Sequence, residues 1–388
     1  MSGDGADGAL TVEIAEAIVT VPSVEWDRLA APDAATANPF VSHAFLSALE
    51  RSRSVGPGTG WTPRHVLLRR SGTIIGVAPC YLKDHSYGEY IFDHGWADAY
   101  NRAGGRYFPK LLCAVPFTPA TGPRLLAEDD AAQSLLARAM IAVAAKSGLS
   151  SVHVNFIEND APLLAEGYLE RRGLQFHWFN RDYRTYEDFL GALASRKRKA
   201  LRRERREAAD GLTFHRVTGG EIQESHWDFF WRFYQDTGAR KWGQPYLTRP
   251  FFSMLGEAMG DRVLLVFAED AGRPIAGALN MIGGDALYGR YWGCTEERAF
   301  LHFEVCYHQA IDFAIERGLR RVEAGAQGEH KLARGYEPVI TKSAHWIADP
   351  GFRGAVARFL ESERRQVEAE RAAIAAEGPF RQSDPGSH

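Results

Sequence analysis

Two stretches of this sequence, one in each half of the chain, share a pattern that limits the folds available to it. Gly72–Ala78 and Gly272–Ala278 each begin at a glycine turn of the hairpin type and continue as an apolar strand. A Tyr-Gly-x-Tyr stretch follows each of them, at Tyr87–Tyr90 and Tyr288–Tyr291, and is predicted to form the next strand. Self-similarity of this kind is typical of a duplicated domain. Two unrelated α/β domains that share common turn chemistry are the alternative, and the residues favour duplication.

The elements that follow the two repeats also come in the same order. In the first half, helical apolar spacing over 130–146 stops at Gly148 and leads into an apolar strand, after which another helix is predicted over 162–172. In the second half, helical spacing over 303–317 stops at Gly318 before the next strand. The order hairpin, strand, helix, glycine and strand therefore occurs twice.

The length of the chain agrees with two domains. At 388 residues it is too long for one ordinary hydrophobic core. We expect a mixed α/β (α+β) protein with a helical C-terminus, in which the charged helix 352–376 packs back on the second domain. The predicted segments are a tail over 1–10, a first domain over 11–180, a second domain over 181–376 and a tail over 377–388.

Charge and composition exclude several classes of protein. The formal net charge is -3, so the chain lacks the overall basic field of many nucleic-acid-binding proteins, although a local basic patch is compatible with it. Residues 1–10 have no signal-peptide pattern, and the longest apolar run, 139–145, is too short to span a bilayer. None of the four cysteines belongs to a C-x-x-C pair. We expect a cytoplasmic protein without a metal site or a tightly bound cofactor.

The most basic part of the chain is the segment 195–207, with eight cations between Arg196 and Arg206. Apolar residues on one side of the segment predict a helix with a single apolar stripe. A run of this density in a chain of net negative charge favours binding of phosphate oxygens, because lysine and arginine side chains displace the counterions that a polyphosphate holds in solution. A solvated helix face is the alternative. The candidate anion-binding residues are Arg198, Lys199, Arg202 and Arg203.

Polar side chains are concentrated between glycines in the segment 325–336, directly after a predicted strand. Loops at the carboxyl ends of strands are where α/β proteins place reactive groups. Acyl transfer to an amine needs a base for the amine proton and a donor for the developing oxyanion. Glu329 and His330 are the candidate bases; Lys331 and Tyr336 complete the candidate catalytic set, and Gln327 is a candidate substrate contact. An ordinary surface loop with salt bridges is the alternative.

Two further polar segments are candidate substrate contacts. In 240–246, cations stand beside aromatic rings in a Gly/Pro turn, which suits a carboxylate or phosphate, although a capped linker with a packed tryptophan is equally compatible. In 93–102, a similar cluster predicts part of a pocket wall in the first half. The candidate substrate-binding residues are Arg240, Lys241, Trp242 and Tyr246 in the first segment and Asp93, His94 and Trp96 in the second.

Hairpin, strand, helix, glycine and strand form the core of a GNAT acyltransferase, and two such halves in one chain resemble the FemAB family. In the second half, 195–203 resembles the family's basic helix, 300–318 its central helix, and 325–336 its segment of glycine, lysine and a glycine before an aromatic residue. Segments similar to 240–246 and 107–111 occur in a bacterial subgroup of predicted N-acyltransferases. The resemblance covers nearly the whole chain and rests on the order and number of these pieces.

This resemblance implies two tandem GNAT-like domains (the acyl-CoA N-acyltransferase fold) and places a catalytic-site lysine at Lys331, whose charge would stabilise the oxyanion. A CoA-dependent GNAT also has a Gly-rich loop that binds pyrophosphate through backbone N–H groups. The matching loops are degenerate, since 115–124 contains prolines that lack N–H donors and 294–301 carries two acids and no glycine. Neither loop is an intact CoA cradle, which fits family members that use aminoacyl-tRNA as donor.

We therefore expect an N-acyltransferase of the FemAB-like type. It would transfer an acyl or aminoacyl group, from aminoacyl-tRNA or acyl-CoA, to a primary amine of a small-molecule or peptide acceptor, with tRNA as a candidate partner. Two alternatives stay open: an acyl-CoA-dependent N-acetyltransferase with an unusual pyrophosphate loop, and a catalytically inactive module that binds peptidoglycan precursors or tRNA.

Overall fold

The computed structural model describes residues 8–240, 245–325 and 328–381, and within these it leaves undescribed the side chains of 238–240 and 329. The chain forms two compact units. The first comprises the residues up to Ala34, Phe40–Gly173 and Thr341–Gln366; the second comprises Ala35–Pro39, Leu174–Ile340 and the residues from Val367 onward. The division along the chain therefore falls near 173, and the segment 341–366 returns to the first unit.

The strands are β1 (Leu10–Ala15), β2 (Trp61–Pro63), β3 (His65–Arg70), β4 (Thr73–Ala78), β5 (Cys80–Lys83), β6 (Lys110–Cys113), β7 (Leu126–Ala127), β8 (Ser151–Asn155), β9 (Leu169–Phe179), β10 (Leu212–Thr218), β11 (Val263–Asp270), β12 (Arg273–Ile282), β13 (Ala286–Cys294), β14 (Arg321–Glu323) and β15 (Glu337–Ile347).

The helices are α1 (Ser23–Ala30), α2 (His43–Arg51), α3 (His94–Arg102), α4 (Asp130–Lys146), α5 (Ala161–Ala165), α6 (Tyr186–Ala192), α7 (Ser195–Ala208), α8 (Glu224–Arg240), α9 (Arg249–Met259), α10 (Leu301–Phe303), α11 (Gln309–Glu316) and α12 (Pro350–Ala376). A π-helical turn, Glu304–His308, connects α10 to α11. No helix in the described part of the chain is long and apolar enough to cross a membrane.

Two hairpins, β3–β4 and β11–β12, are built alike. Their turns, Ser71-Gly72 and Ala271-Gly272, have positive φ at both residues (50° and 87°; 48° and 78°), which two-residue hairpin loops require for their strands to twist correctly. Both hairpins also shift register two residue pairs before the turn, between Leu68 and Arg69 and between Ala268 and Glu269. The hairpins predicted as a repeat therefore share a turn conformation and an irregularity.

In the first unit, β1, β3, β4 and β7 form one antiparallel sheet. A second sheet of the same unit has the strand order β15, β8, β6, β5 and β2, and β15 contributes the part of its length that belongs to this unit. Within that second sheet, β6 and β8 run parallel. Helix α4 connects them: it is capped by Asp129, whose carboxylate accepts from the Ala132 amide, and it ends at Gly148. Leu136 and Met140 on α4 are fully buried in this unit's core.

In the second unit, the sheet runs in the order β10, β11, β12, β13, β14 and the unit's part of β9. Strands β13 and β14 are parallel but pair over only three residues, Ala286–Tyr288 against Arg321–Glu323. The helix α10–α11 and the turn at Gly318 connect them, as α4 and Gly148 connect β6 and β8. Both units thus contain the parallel strand, helix and strand of a GNAT-like core, so the fold is two tandem GNAT-like domains with a helical C-terminus.

The structure corrects three sequence expectations. Tyr87–Tyr90, expected to be a strand like Tyr288–Tyr291, is an irregular segment, and β6 takes the strand's place. Residues 169–172, expected to be helical, begin the long strand β9. The C-terminal helix α12 does not pack on the second domain alone, because its residues as far as Gln366 belong to the first unit, where Val356 and Leu360 pack in a cluster with Trp96.

Candidate active site

The segment after β14 turns sharply at three glycines. Gly325, Gly328 and Gly335 all have positive φ (79°, 120° and 85°), a conformation that side chains rarely adopt. A Cβ at Gly335 would also lie 2.6 Å from the ring of Phe189. Between Gly328 and Gly335 the chain forms a short 3-10 helix, Glu329–Arg334. The glycines therefore fold the predicted catalytic segment into a compact turn that directs part of it inward.

Lys331 is buried in this turn, with 2% of its surface exposed. Its Nζ donates to the carbonyl oxygen of Gly325 at 3.0 Å, and no carboxylate among the described residues pairs with it. Burial lowers the pKa of Lys331 to about 8. At neutral pH the side chain is therefore still mainly an ammonium, but one whose charge is poorly compensated by the protein.

His330, the next residue, contacts a tyrosine that the sequence did not single out. Its Nε2 lies 2.9 Å from the hydroxyl of Tyr307, on the π-helical turn. Partial burial, together with the charges of Arg334 and Lys331, lowers the pKa of His330, so the imidazole is neutral at pH 7. Burial raises the pKa of Tyr307, which stays a phenol. A neutral histidine thus lies next in sequence to a buried ammonium.

The π-helical turn Glu304–His308 interrupts the helix between α10 and α11. Such turns insert one extra residue into a helix and are frequent at functional sites. Phe300, just before α10, has a φ of 59°, so the entry to this helix is also unusual. Within the turn, Tyr307 contacts His330 and His308 contacts Glu204.

Glu204, on helix α7, fixes the other end of the turn Gly328–Gly335. Both carboxylate oxygens accept from the guanidinium of Arg334, at 2.8 and 2.6 Å, and one also contacts His308 at 2.8 Å. Burial alone would raise the pKa of Glu204, but the hydrogen bonds from His308 and Arg334 hold it below its usual range. Arg334 also donates to the carbonyl of His330 at 2.6 Å. Helix α7 and this turn are thereby joined by a buried bidentate ion pair.

A pocket of about 400 Å³ lies at the carboxyl end of β13. It is lined by Thr237, Trp292, Cys294, Glu296, Glu297, Arg298, Leu301 and His302. The ring of His302 lies 5.4 Å from that of Tyr307 and 6.1 Å from that of His330, measured between centroids. The pocket therefore adjoins His330 of the turn Gly328–Gly335 and Tyr307 of the π-helical turn.

Side chains of the protein engage both loops that match a CoA cradle. In the first unit, the buried guanidinium of Arg124 donates to the carbonyls of Ala120, Pro123 and Asn155 at 2.7, 2.9 and 3.0 Å. In the second unit, Glu296, which lines the pocket, is ion-paired with Arg273 at 2.5 Å and with Arg298 at 3.2 Å. The first loop thus binds a cation of the protein, and the second carries a carboxylate.

The predicted anion-binding helix is α7, and its cations divide into two groups. Arg202 pairs with Glu187, and Arg203 pairs with Glu207 at 2.5 Å. Arg205 turns inward to Glu304 and Asp312. The remaining cations have no hydrogen-bond or ion-pair partner among the described residues: Arg196, Lys197, Arg198, Lys199 and Arg206. Four of these five lie in the first turns of the helix.

The other predicted residues fall in different places. Lys241, Trp242 and Gln327 lie outside the described residues, as do the side chains of Arg240 and Glu329. Tyr246 is 41% exposed in the second unit. Tyr336 is fully buried, and its ring lies 5.5 Å from that of Tyr307. The structure thus brings His330 and Tyr336 together around Tyr307, and Lys331 is the residue that follows His330 in the chain.

In the first unit, Asp93 and Trp96 are buried, whereas His94 is exposed. The carboxylate of Asp93 accepts from Lys110 at 2.5 Å and from the hydroxyl of Tyr107 at 2.7 Å. Burial alone would raise its pKa, but the Lys110 ammonium holds the pKa well below its usual range. A substrate could reach Asp93 only if this ion-paired network opened.

Metal-binding geometry is lacking in the described part of the chain, where no three histidine, cysteine or acidic residues are arranged to hold an ion. Sequence reasoning also missed Tyr307, His308 and Glu204. The sequence did contain a sign that Glu204 has a specific partner, since it is one of two acids in the otherwise basic segment 195–207. Tyr307 and His308 carried no such sign, because a π-helical turn changes which residues of a helix face inward.

Comparison with known proteins gives one family and several similar folds. The FemAB-like family model, described as peptidoglycan biosynthesis/recognition, matches residues 17–382. No curated protein matches the sequence.

The solved structures that resemble the chain share little sequence with it. FemX matches with a TM-score of 0.55 at 12% identity, over 87% of this chain and 98% of FemX. A conserved protein of unknown function from Bacteroides thetaiotaomicron matches with a TM-score of 0.50 at 10% identity, over 86% and 99%. A tandem GNAT protein from the clavulanic acid biosynthesis pathway matches with a TM-score of 0.46 at 12% identity, over 88% and 99%. At these identities the likeness is one of fold alone.

Proposed function

The chain belongs to the FemAB-like family, and on that premise we propose that it transfers an acyl or aminoacyl group to a primary amine at the turn that carries His330 and Lys331. The observation that carries the proposal is the pairing of a neutral histidine with a buried ammonium, next to each other in sequence and beside a pocket. Acyl transfer to an amine needs a base for the amine proton and a donor for the developing oxyanion, and a neutral histidine and a lysine ammonium are able to fill these two roles.

In the proposed reaction, the acceptor first loses a proton to solvent and becomes a free amine. Its nitrogen attacks the carbonyl carbon of the donor ester, and the carbonyl oxygen gains the negative charge. The ammonium of Lys331 stabilises that charge where water is excluded. His330 takes the second proton from the attacking nitrogen and returns it to the departing oxygen as the ester bond breaks, while the hydroxyl of Tyr307 orients the imidazole through Nε2.

Aminoacyl-tRNA is the donor that we propose. Its support is the group of unpartnered cations in the first turns of α7, where the positive end of the helix dipole adds to their charge. Cations at that end of a helix are repelled by the positive end of the helix dipole unless an anion compensates them. A bound polyphosphate would therefore remove an electrostatic repulsion that the free helix carries. The two loops described above, of which one binds a cation of the protein and the other is acidic, argue against a tightly bound CoA.

Acyl-CoA is the second candidate donor, and one observation favours it. The pocket of about 400 Å³ lies at the end of β13, where a CoA-dependent GNAT would hold its donor. In either case the acceptor would be a small molecule or a peptide that carries a primary amine.

The decisive test combines donor and acceptor searches. The purified protein is incubated with a small-molecule extract and either a mixture of aminoacyl-tRNAs or acetyl-CoA, and mass spectrometry records which extract components gain the mass of an acyl or aminoacyl residue. Lys331→Met protein is the control. A product that forms only with aminoacyl-tRNA supports the proposal; one that forms only with acetyl-CoA replaces it by the second candidate; equal products with both proteins would exclude this turn as the site.

A further inference from the structure

A second pocket lies in the first unit, and the reaction proposed above uses none of its residues. It has a volume of about 530 Å³ and lies between the turn after β1, the end of α2 and the loop that leads into β2. All of its lining residues belong to the first unit. Small-molecule sites in proteins commonly measure about 300–1,000 Å³, so this pocket is large enough for one.

The walls of the pocket are mainly apolar. Ala17 and Val19 contribute one side, and Val55, Pro57 and Pro63 contribute the other. Val19 is 55% exposed, although most valines in this protein are buried. A ligand with a hydrocarbon body would remove this apolar surface from water, which favours binding.

Two carboxylates also line the pocket, but the protein itself engages both. One Glu50 oxygen accepts from the backbone N–H of Ile18 at 2.8 Å, and the other lies 2.8 Å from the ring nitrogen of His65. Glu16 pairs with Arg64 at 3.5 Å. Both oxygens of Glu50 are therefore occupied by hydrogen bonds, and the charge of Glu16 is paired with that of Arg64.

Two arginines of the same pocket are not engaged. Arg51 and Arg53 are exposed, and neither guanidinium has a hydrogen-bond or ion-pair partner among the residues that the structure describes. Arg53 has a φ of 60° because it ends α2 in a Schellman motif, in which its N–H donates to the carbonyl of Glu50 and the N–H of Ser54 donates to that of Leu49, at 2.9 and 3.0 Å. The two unpaired guanidinium groups outweigh the Glu50 carboxylate, so the pocket carries a net positive charge.

We propose that this pocket binds a small organic anion with an apolar body, of which a medium-chain carboxylate is the simplest example. The hydrocarbon chain lies against Ala17, Val19 and Val55, and the carboxylate pairs with the guanidinium groups of Arg51 and Arg53. Guanidinium groups bind carboxylates through paired hydrogen bonds, so the site discriminates an acid from its neutral amide. The site is independent of acyl transfer in the second unit.

The test uses sodium octanoate and octanamide, which have the same chain but differ in charge. Each is titrated into the full-length protein by calorimetry at low and high salt. We expect octanoate to bind at one site at least about tenfold more tightly than octanamide, and to weaken as salt rises. The double variant Arg51→Gln/Arg53→Asn should remove the preference for the acid, since asparagine tolerates the left-handed conformation. Arg102→Gln, which removes an exposed arginine from α3 of the same unit, should change nothing.

A third variant tests the pocket itself. Ala17→Phe fills part of the volume and should weaken octanoate and octanamide alike, with the thermal unfolding of each variant recorded to confirm that it folds. The proposal is wrong if octanamide binds as tightly as octanoate, if the double arginine variant keeps the preference, or if the wild-type protein binds no octanoate up to about 10 mM.

Discussion

Replacing Lys331 by methionine should lower activity and raise stability at the same time. The methionine side chain has a similar length and shape but no charge, so the turn between Gly328 and Gly335 should keep its fold. Loss of one donor to a developing oxyanion raises a barrier by roughly 2.7–4 kcal/mol, which corresponds to a 10²–10³-fold lower kcat. Arginine should restore little activity, because its planar guanidinium places the charge differently from a compact ammonium.

The gain in stability follows from the pKa of the buried lysine. Its value of about 8 in the folded protein lies below the ordinary 10.5, so folding opposes the protonated form. At about 1.36 kcal/mol per pKa unit, this destabilises the fold by about 3 kcal/mol below pH 8. The lost hydrogen bond to Gly325 offsets about 1 kcal/mol of that gain. We therefore expect the free energy of unfolding of Lys331→Met to be about 2 kcal/mol higher at pH 7, and the difference to shrink between pH 8 and 10.5, where the folded lysine is already neutral.

Two measurements on the same preparations check this pair of effects. Transfer is followed under saturating donor, and thermal unfolding is recorded at pH 7 and pH 10; a gain of about 2 kcal/mol corresponds to about 4–8 °C in a unit of this size. Lys146→Met, which removes an exposed lysine from the end of α4, is the matched control and should change neither quantity appreciably. A Lys331→Met protein with full turnover, or with a lower unfolding temperature than the wild type at pH 7, would refute the reasoning.

Three further results are expected. Acetyl-CoA should bind weakly or not at all, because one candidate cradle binds a cation of the protein and the other is acidic; calorimetry that gives a low-micromolar Kd would contradict this and favour the second candidate donor. Arg198→Ala/Lys199→Ala should weaken tRNA binding and flatten its salt dependence more than Arg202→Ala/Arg203→Ala, because the latter pair already has carboxylate partners; equal salt slopes for both double variants and the wild type would reduce the run to a solvated face. The transfer rate should rise with pH as His330 loses its proton, below pH 6.5, and fall near pH 8 as Lys331 loses its own. A His330→Gln variant whose rate still rises with pH in the acidic range would exclude the histidine as the base.

The parts of the fold that local chemistry determines could be predicted from the sequence. The Ser71-Gly72 and Ala271-Gly272 turns were expected because two-residue hairpin loops need positive φ, and α4 was expected because its apolar spacing ends at a glycine. Tyr87–Tyr90 was assigned wrongly because a Tyr-Gly-x-Tyr pattern is compatible with a strand, whereas here the segment contributes Glu89 to the ion pairs that hold Lys110. Those pairs are long-range, and periodicity carries no sign of them.

The candidate site divides in the same way. The glycine-flanked position of Lys331 and His330 was readable as a turn after a strand, and their proximity follows from sequence adjacency. Tyr307 and Glu204 could not be assigned, since their contacts depend on a π-helical turn and on a helix that precedes the site by more than a hundred residues along the chain. A pattern reports spacing within an element; it does not report which elements meet.

The ion pair between Glu204 and Arg334 has a consequence for protein engineering. A designer who exchanged helix α7 for that of a relative, in order to change the polyanion that the protein accepts, would also exchange the residue that neutralises the catalytic turn. Without a carboxylate at position 204, Arg334 would be left as a buried guanidinium without its partner, which destabilises a protein by about 3–5 kcal/mol. A loss of that size is a large fraction of the stability of a typical native protein, about 5–15 kcal/mol, so such a chimera would be poorly folded whatever its specificity. Helix α7 and the turn from Gly328 to Gly335 therefore have to be transplanted as one module.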